Sequence, residues 1–140
     1  MGVLLDASTL AAAIKGRLSV ALELGRRKPG EINLSVVSQL QVEAGLRAEP
    51  RAMVRYGKLL KDFSGAVRLI EFGKSEAQQA SQLAGYLAQQ GESLTGFQLI
   101  LAASALAHGL TLVTDDTRPY LSVPGLDVEN WLRDDAHPTS

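Results

Sequence analysis

Apolar positions along the chain switch between two periods, and that switching sets the fold class. Val3-Leu4-Leu5 and Leu112-Val113 are short unbroken apolar runs, as expected of strands buried on both faces of a parallel sheet. Between such runs apolar residues recur every three to four positions, as on one face of a helix. The pattern predicts a strand over residues 3–6, a helix capped by Ser8 and ending at Gly16, and a second helical piece over 18–24. A strand over 33–37 and helices over 38–48 and 51–63 follow, divided by Pro50. Next come a strand over 67–72, an amphipathic helix over 75–90, and a nearly all-apolar helix over 96–108 closed by Gly109. A strand over 111–114 and a short one over 126–128 complete the series. Strands alternating with helices make one α/β domain over residues 1–132, its central sheet short and mainly parallel, with helices on both faces. Residues 133–140 are polar and are expected to fray.

At 140 residues with 46% hydrophobic positions, the chain can bury a full core without staples. It has no cysteine, which removes disulfides, thiolate zinc sites and cysteine nucleophiles and suits a reducing cytoplasm. No apolar run approaches the roughly 20 residues of a membrane span, so no membrane role is expected. Net charge is −1 and points to no partner. Its distribution is uneven: Arg26 to Lys61 holds eight basic residues against three acids, and Leu110 to Ser140 six acids against Arg118 and Arg133. Arg47, Arg51, Arg55 and Lys58 recur at four-four-three spacing, which would align them on one helix face. Such a face is either simply solvated or a small track for phosphates.

The candidate chemistry begins with two aspartates. Asp6 closes the first strand, and Asp115 and Asp116 close the fourth. A carboxylate there is costly unless it pairs, accepts hydrogen bonds or holds a cation. Ligands of open parallel sheets collect outside the carboxyl ends of the strands. If the two strands are neighbours, Asp6 and Asp116 meet at one edge.

Four blocks carry a family resemblance: Leu4-Leu5-Asp6-Ala7-Ser8-Thr9-Leu10, Ser35 to Leu46, Leu101 to Asp116, and Val123-Pro124-Gly125-Leu126-Asp127-Val128-Glu129-Asn130-Trp131. In this order and spacing the chain resembles the PIN domain, and specifically the small bacterial VapC-type toxins. The resemblance implies a three-layer α/β/α fold and a Mg²⁺- or Mn²⁺-dependent endoribonuclease acting on RNA. It also implies a cognate antitoxin as partner and a homodimer. Carboxylates of the family hold metal, and the metal activates water against a phosphodiester. The first family acid maps to Asp6 and the last to Asp116, the two implied metal ligands.

The two middle acids are missing. Where the family has a glutamate four residues before Gly45 this chain has Gln41, and where an aspartate opens the buried helix it has Gln98. A cation would lean on Asp6 and Asp116 and be weakly bound or absent. Glu43 is two positions from Gln41, about 200° round a helix, and should face away. Asp115 is the better substitute if a turn brings it in. Both glutamines also fit a capping box, Ser38 with Gln41 and Thr95 with Gln98, and Ser75-Glu76-Ala77-Gln78 repeats the pattern where no chemistry is expected. Two functions stay open: a VapC-type nuclease, or a catalytically degenerate PIN-like protein that binds RNA or a protein partner without cutting.

The other candidates are thinner. His108 is expected in the last helical turn, favoured by the dipole, and two histidines make a Ser-His-Asp triad a poor fit. A receiver domain would want its acidic pair early and a lysine late, whereas no lysine follows Lys74. Trp131 reads as a packing anchor or dimer contact. The helix over 51–63 carries Met53, Val54, Leu59, Leu60 and Phe63; either it packs on its own sheet or it forms part of a dimer or antitoxin interface. Arg47, Arg51 and Arg55 are expected to steer RNA phosphate if their face borders the site.

Overall fold

The computed structural model describes residues 2–132. The expected tail at 133–140 lies outside the described residues. Five strands form one sheet in the order β3-β2-β1-β4-β5: β1 (Val3–Leu5), β2 (Ile32–Ser35), β3 (Arg68–Ile70), β4 (Thr111–Val113) and β5 (Val128–Glu129). Every neighbouring pair is parallel. In register, Leu5 stands beside Leu34 on one side and Val113 on the other.

Alternate residues of a strand face opposite sides, and the two cores divide accordingly. Val3, Leu5, Leu34 and Val113 join Leu10, Val20, Val42 and Leu60 on one face. That face is covered by α1 (Ala7–Ile14), α2 (Leu18–Gly25), α3 (Val36–Arg47) and α4 (Pro50–Ala66). Leu4 and Leu112 join Leu83, Leu87, Leu101 and Ala102 on the other, under α5 (Lys74–Gln89) and α6 (Gly96–His108). The three-layer α/β/α reading holds.

Several helix starts differ from expectation. Helix α1 begins at Ala7 with Asp6 as N-cap, its side chain accepting from the Thr9 N–H, so Ser8 is not the cap. Helix α3 begins at Val36 because the Ser35 hydroxyl accepts from the Val37 N–H. The β-branched Val36-Val37 pair favours a strand, but the cap prevails and the strand ends three residues before Ser38. Ser38 lies fully buried in the first turns of α3, its hydroxyl without a partner. In α5 the Glu76 carboxylate accepts from the Gly73 N–H, and Ser75 plays no capping part. Helix α6 starts as expected: Thr95 Oγ1 accepts from the Gln98 N–H and Gln98 Oε1 from the Thr95 N–H. It ends on Gly109, whose φ of 63° is left-handed and suits glycine.

His108 closes α6 and lies 2.7 Å from Glu76 Oε2, tying α6 to the start of α5. The Glu76 carboxyl is held below its ordinary value by its own backbone N–H first, then by His108 and the Gly73 N–H. A carboxyl depressed in the folded state stabilises above its unfolded pKa of about 4.3, and that contribution is lost as pH falls through the lower folded value. Glu76→Gln keeps the capping acceptor and removes the charge. The melting-temperature gap between wild type and this variant is expected to be full near neutral pH and to close progressively below about pH 4. Melts over that range check it.

Trp131 is a packing anchor: it is buried, its Nε1 donates to Glu129 at 2.9 Å, and Arg27 lies 4.6 Å over its ring. On α4, Leu60 is buried and Met53 and Phe63 pack on the core, whereas Val54 and Leu59 are exposed. Most of that apolar surface serves the helix's own sheet.

Candidate functional site

Because β1 and β4 are adjacent and in register, their carboxyl ends bring Asp6 and the Asp115–Asp116 pair side by side. They line one cleft of about 360 Å³ with Gln41, Phe97, Gln98 and Tyr120. The strand stops at Val113, and the bend after it carries both Asp115 and Asp116 into the cleft, as the turn hypothesis required of Asp115. Tyr120 registers all three acids: burial first, then Asp6, Asp116 and Asp115, push its hydroxyl well above the ordinary tyrosine value.

Each site residue has a distinct local role. Asp6 is 8% exposed, and its Oδ1 accepts from Ser8 Oγ at 2.7 Å and the Thr9 N–H at 2.8 Å; among the described residues Oδ2 takes no hydrogen bond. Ser8 Oγ also accepts from the Asp115 N–H at 3.2 Å, so one hydroxyl bridges the ends of the two strands. Asn130 Nδ2 donates to the Asp115 carbonyl from the far side. In the sequence Ser8 reads as a cap; its location two residues past Asp6, in the first turn of α1, is the signal for the bridge.

Asp116 is engaged. Arg118 Nε and Nη2 donate to its two carboxylate oxygens at 2.9 and 3.2 Å, and this guanidinium holds the Asp116 carboxyl below its usual range. Gln98 is engaged too, its Oε1 closing the capping box of α6. Gln41 is different. Helix α3 starts too early for it to be the third residue from a cap, so the expected Ser38–Gln41 box does not exist, and its Oε1 is buried with no partner. That leaves a buried acceptor at the cleft wall, a position that favours an incoming donor or cation.

Glu43 faces away as expected, pairing with Arg47 at 2.8 Å. The proposed row of arginines does not exist as one face: α3 ends at Arg47 and α4 begins at Pro50, so the helix is interrupted between Arg47 and Arg51. Arg47 borders a separate groove between α3 and α4, and none of Arg47, Arg51 and Arg55 lines the acidic cleft. Besides Arg118 on Asp116, Lys15 stands close by, in a groove of about 670 Å³ that shares Ala7 and Gln41 with the cleft.

Do these groups suit a hard divalent cation? Oδ2 of Asp6 and Oε1 of Gln41 are oxygens without partners, the donor type such a cation takes. Against this, no three acidic, histidine or cysteine side chains among the described residues are grouped closely enough to hold a metal ion, and Asp116 already has a counter-ion. The donor set fits a cation held weakly.

No protein-family model matches the chain. It is 26% identical to the tRNA(fMet)-specific endonuclease VapC of Shigella flexneri over 129 residues, covering 91% of this chain and 96% of that one. Two solved structures share its architecture. DNA-bound VapBC from Salmonella typhimurium superposes with a TM-score of 0.83 at 20% identity, over 94% of this chain and 98% of that one. VapBC2 from Rickettsia felis, bound to a promoter DNA fragment, does so with a TM-score of 0.81 at 25% identity, over 94% and 99%. The resemblance to VapC-type PIN-domain proteins therefore runs nearly the full length of the chain, and the fold is theirs.

Proposed function

We propose that this chain is the toxin-type member of a toxin–antitoxin pair, a PIN-domain endoribonuclease whose metal site is weakened by two amide replacements. The observation that carries this reading is the convergence of Asp6, Asp115 and Asp116 at the ends of β1 and β4, in a fold otherwise met in VapBC complexes. Asp6 and Asp116 would hold Mg²⁺ or Mn²⁺, with Asp115 and Gln41 as supplementary oxygen donors. A divalent cation there lowers the pKa of water near a phosphodiester. The protein's own part is to fix Asp6 through Ser8 and Thr9, to hold Asp115 against it through the same serine, and to wall the cleft with Tyr120. An antitoxin partner, a homodimer and a cytoplasmic location belong to the same reading; among the described residues no helix is long and apolar enough to cross a membrane.

A second reading is favoured by the Asp116–Arg118 pair and the Gln98 capping bond, which occupy two of the four family positions. On it, the chain binds RNA or its protein partner and does not cut. Protein purified free of antitoxin, incubated with single-stranded and structured RNA at millimolar Mn²⁺, separates the two. Specific cuts lost in Asp116→Asn establish the nuclease. No cuts, with cutting gained in the Gln41→Glu, Gln98→Asp double variant, establish the binder.

The ion pair gives its own prediction. Arg118 is exposed, so water screens its hold on Asp116. Arg118→Gln is expected to return the Asp116 carboxyl toward its ordinary value and to tighten Mn²⁺ binding by no more than about fivefold. The carboxylate is ionised at neutral pH in either protein, so the gain comes from freed oxygens. Calorimetric titration with Mn²⁺ measures it.

A further inference from the structure

The acidic cleft does not end at Gln41. Ala7 and Gln41 line both it and the larger groove between α1, α3 and α4, so the two depressions join. An aromatic ring stands in each. Phe97, in the first turn of α6, lines the cleft and is 47% exposed, whereas Phe63 packs on the core. Tyr56 lines the groove, half-buried, with Lys15 Nζ 5.8 Å and the Arg55 guanidinium 5.3 Å from its ring centre. Rings spaced along a channel, with flexible cations beside one of them, are what a single-stranded nucleic acid uses: bases stack on the rings and cations follow the backbone.

The acids alone would equally suit a basic peptide. In the second half of the channel a basic peptide would find one acid, Glu49, against Lys15 in the groove and Arg55 on the Tyr56 ring, whereas an RNA strand gains from both cations and the ring. We infer that the cleft and the groove form one track for single-stranded RNA, with one base on Phe97 beside the acids and another on Tyr56, where Lys15 and Arg55 meet phosphates. This rests on the proposed action on RNA and adds where the strand lies.

The test is binding of a fluorescein-labelled ten-nucleotide oligouridylate in EDTA, followed by anisotropy over a range of salt. Phe97→Ala is expected to weaken binding about five- to 150-fold, as loss of one stacked base does. Phe97→Trp should restore it. Lys15→Gln with Arg55→Gln should make the slope of log affinity against log salt shallower by about 1.4, two phosphate contacts at about 0.7 each. Arg47→Gln, in the separate groove, should change neither. Unchanged affinity in Phe97→Ala, or an unchanged slope in the double variant, overturns the track. So does wild-type protein that binds no oligonucleotide, or variants that lose affinity only for a basic peptide. If wild type cuts RNA while Phe97→Ala binds as well as wild type, the track falls and the nuclease stands. If the variants behave as expected and nothing is ever cut, the track stands and the nuclease falls.

Discussion

Gln41→Glu combined with Gln98→Asp is expected to convert a weak cation site into a tight one, with an unequal share from each change. Gln41 Oε1 is buried without a partner, so a carboxylate there meets no donor in the metal-free protein. The metal-free Gln41→Glu variant should lose about 1–3 kcal/mol of stability, because a charge replaces an amide at a buried oxygen that meets no donor in either protein, or should take up a proton to avoid it. A divalent cation removes that cost. Two added charges beside Asp6 should tighten Mn²⁺ binding by on the order of a hundredfold, allowing about 4 kcal/mol per close charge pair before desolvation offsets much of it. At a Mn²⁺ concentration 100 times the dissociation constant, stability returns by about 2.7 kcal/mol. Wild type should barely respond to the same addition. Gln98→Asp alone should do little, because Gln98 Oε1 already caps Thr95 and an acid in the first turn of α6 is welcome to the helix dipole. Thermal melts with and without Mn²⁺ read every part of this. A double variant with no Mn²⁺-dependent rise in melting temperature would remove the case for a cation site in the cleft.

The unequal shares could not be seen in the sequence, where Gln41 and Gln98 present the same Ser/Thr-x-x-Gln pattern. What separates them is the cap: Thr95 does cap α6, but Ser35 caps α3 three residues ahead of Ser38. That shift moves Gln41 out of the capping position and leaves its oxygen in the cleft wall. The apolar runs placed β1 and β4 within a residue, because a strand buried on both faces shows as unbroken hydrophobic sequence. Ser8 and Phe97 were legible only as a cap and as one more apolar residue. Their roles depend on what faces them across the sheet edge, and that is set by the β1–β4 pairing over a hundred residues of chain. The row from Arg47 to Lys58 failed for a local reason: its spacing is helical, but Pro50 starts a new helix inside it, and periodicity does not survive such a break.

Asp6 is the helix cap of α1 and, under the proposed function, a cation ligand, and two substitutions separate the two. Asparagine caps a helix as well as aspartate does, and its Oδ1 can accept the same bonds from Ser8 and the Thr9 N–H. Asp6→Asn should therefore melt within about 0.5 kcal/mol of wild type while losing the carboxylate charge at the end of β1. Asp6→Ala loses the cap, about 1 kcal/mol, or roughly 3 °C in a protein of this size. It also leaves Ser8 Oγ without the acceptor that orients it toward the Asp115 N–H. Introduced into the Gln41→Glu, Gln98→Asp background, where Mn²⁺ binding should be tight enough to measure, both changes are expected to abolish most of the Mn²⁺-dependent rise in melting temperature. Only the alanine should also lower the metal-free melting point. If Asp6→Asn kept the full Mn²⁺ response, Asp6 would be a cap and the cation would have to be held by Asp115 and Asp116 without it. The Ser8 bridge gives a physical reason to expect the other result, because it fixes Asp6 Oδ1 and leaves Oδ2 as the oxygen available to a cation.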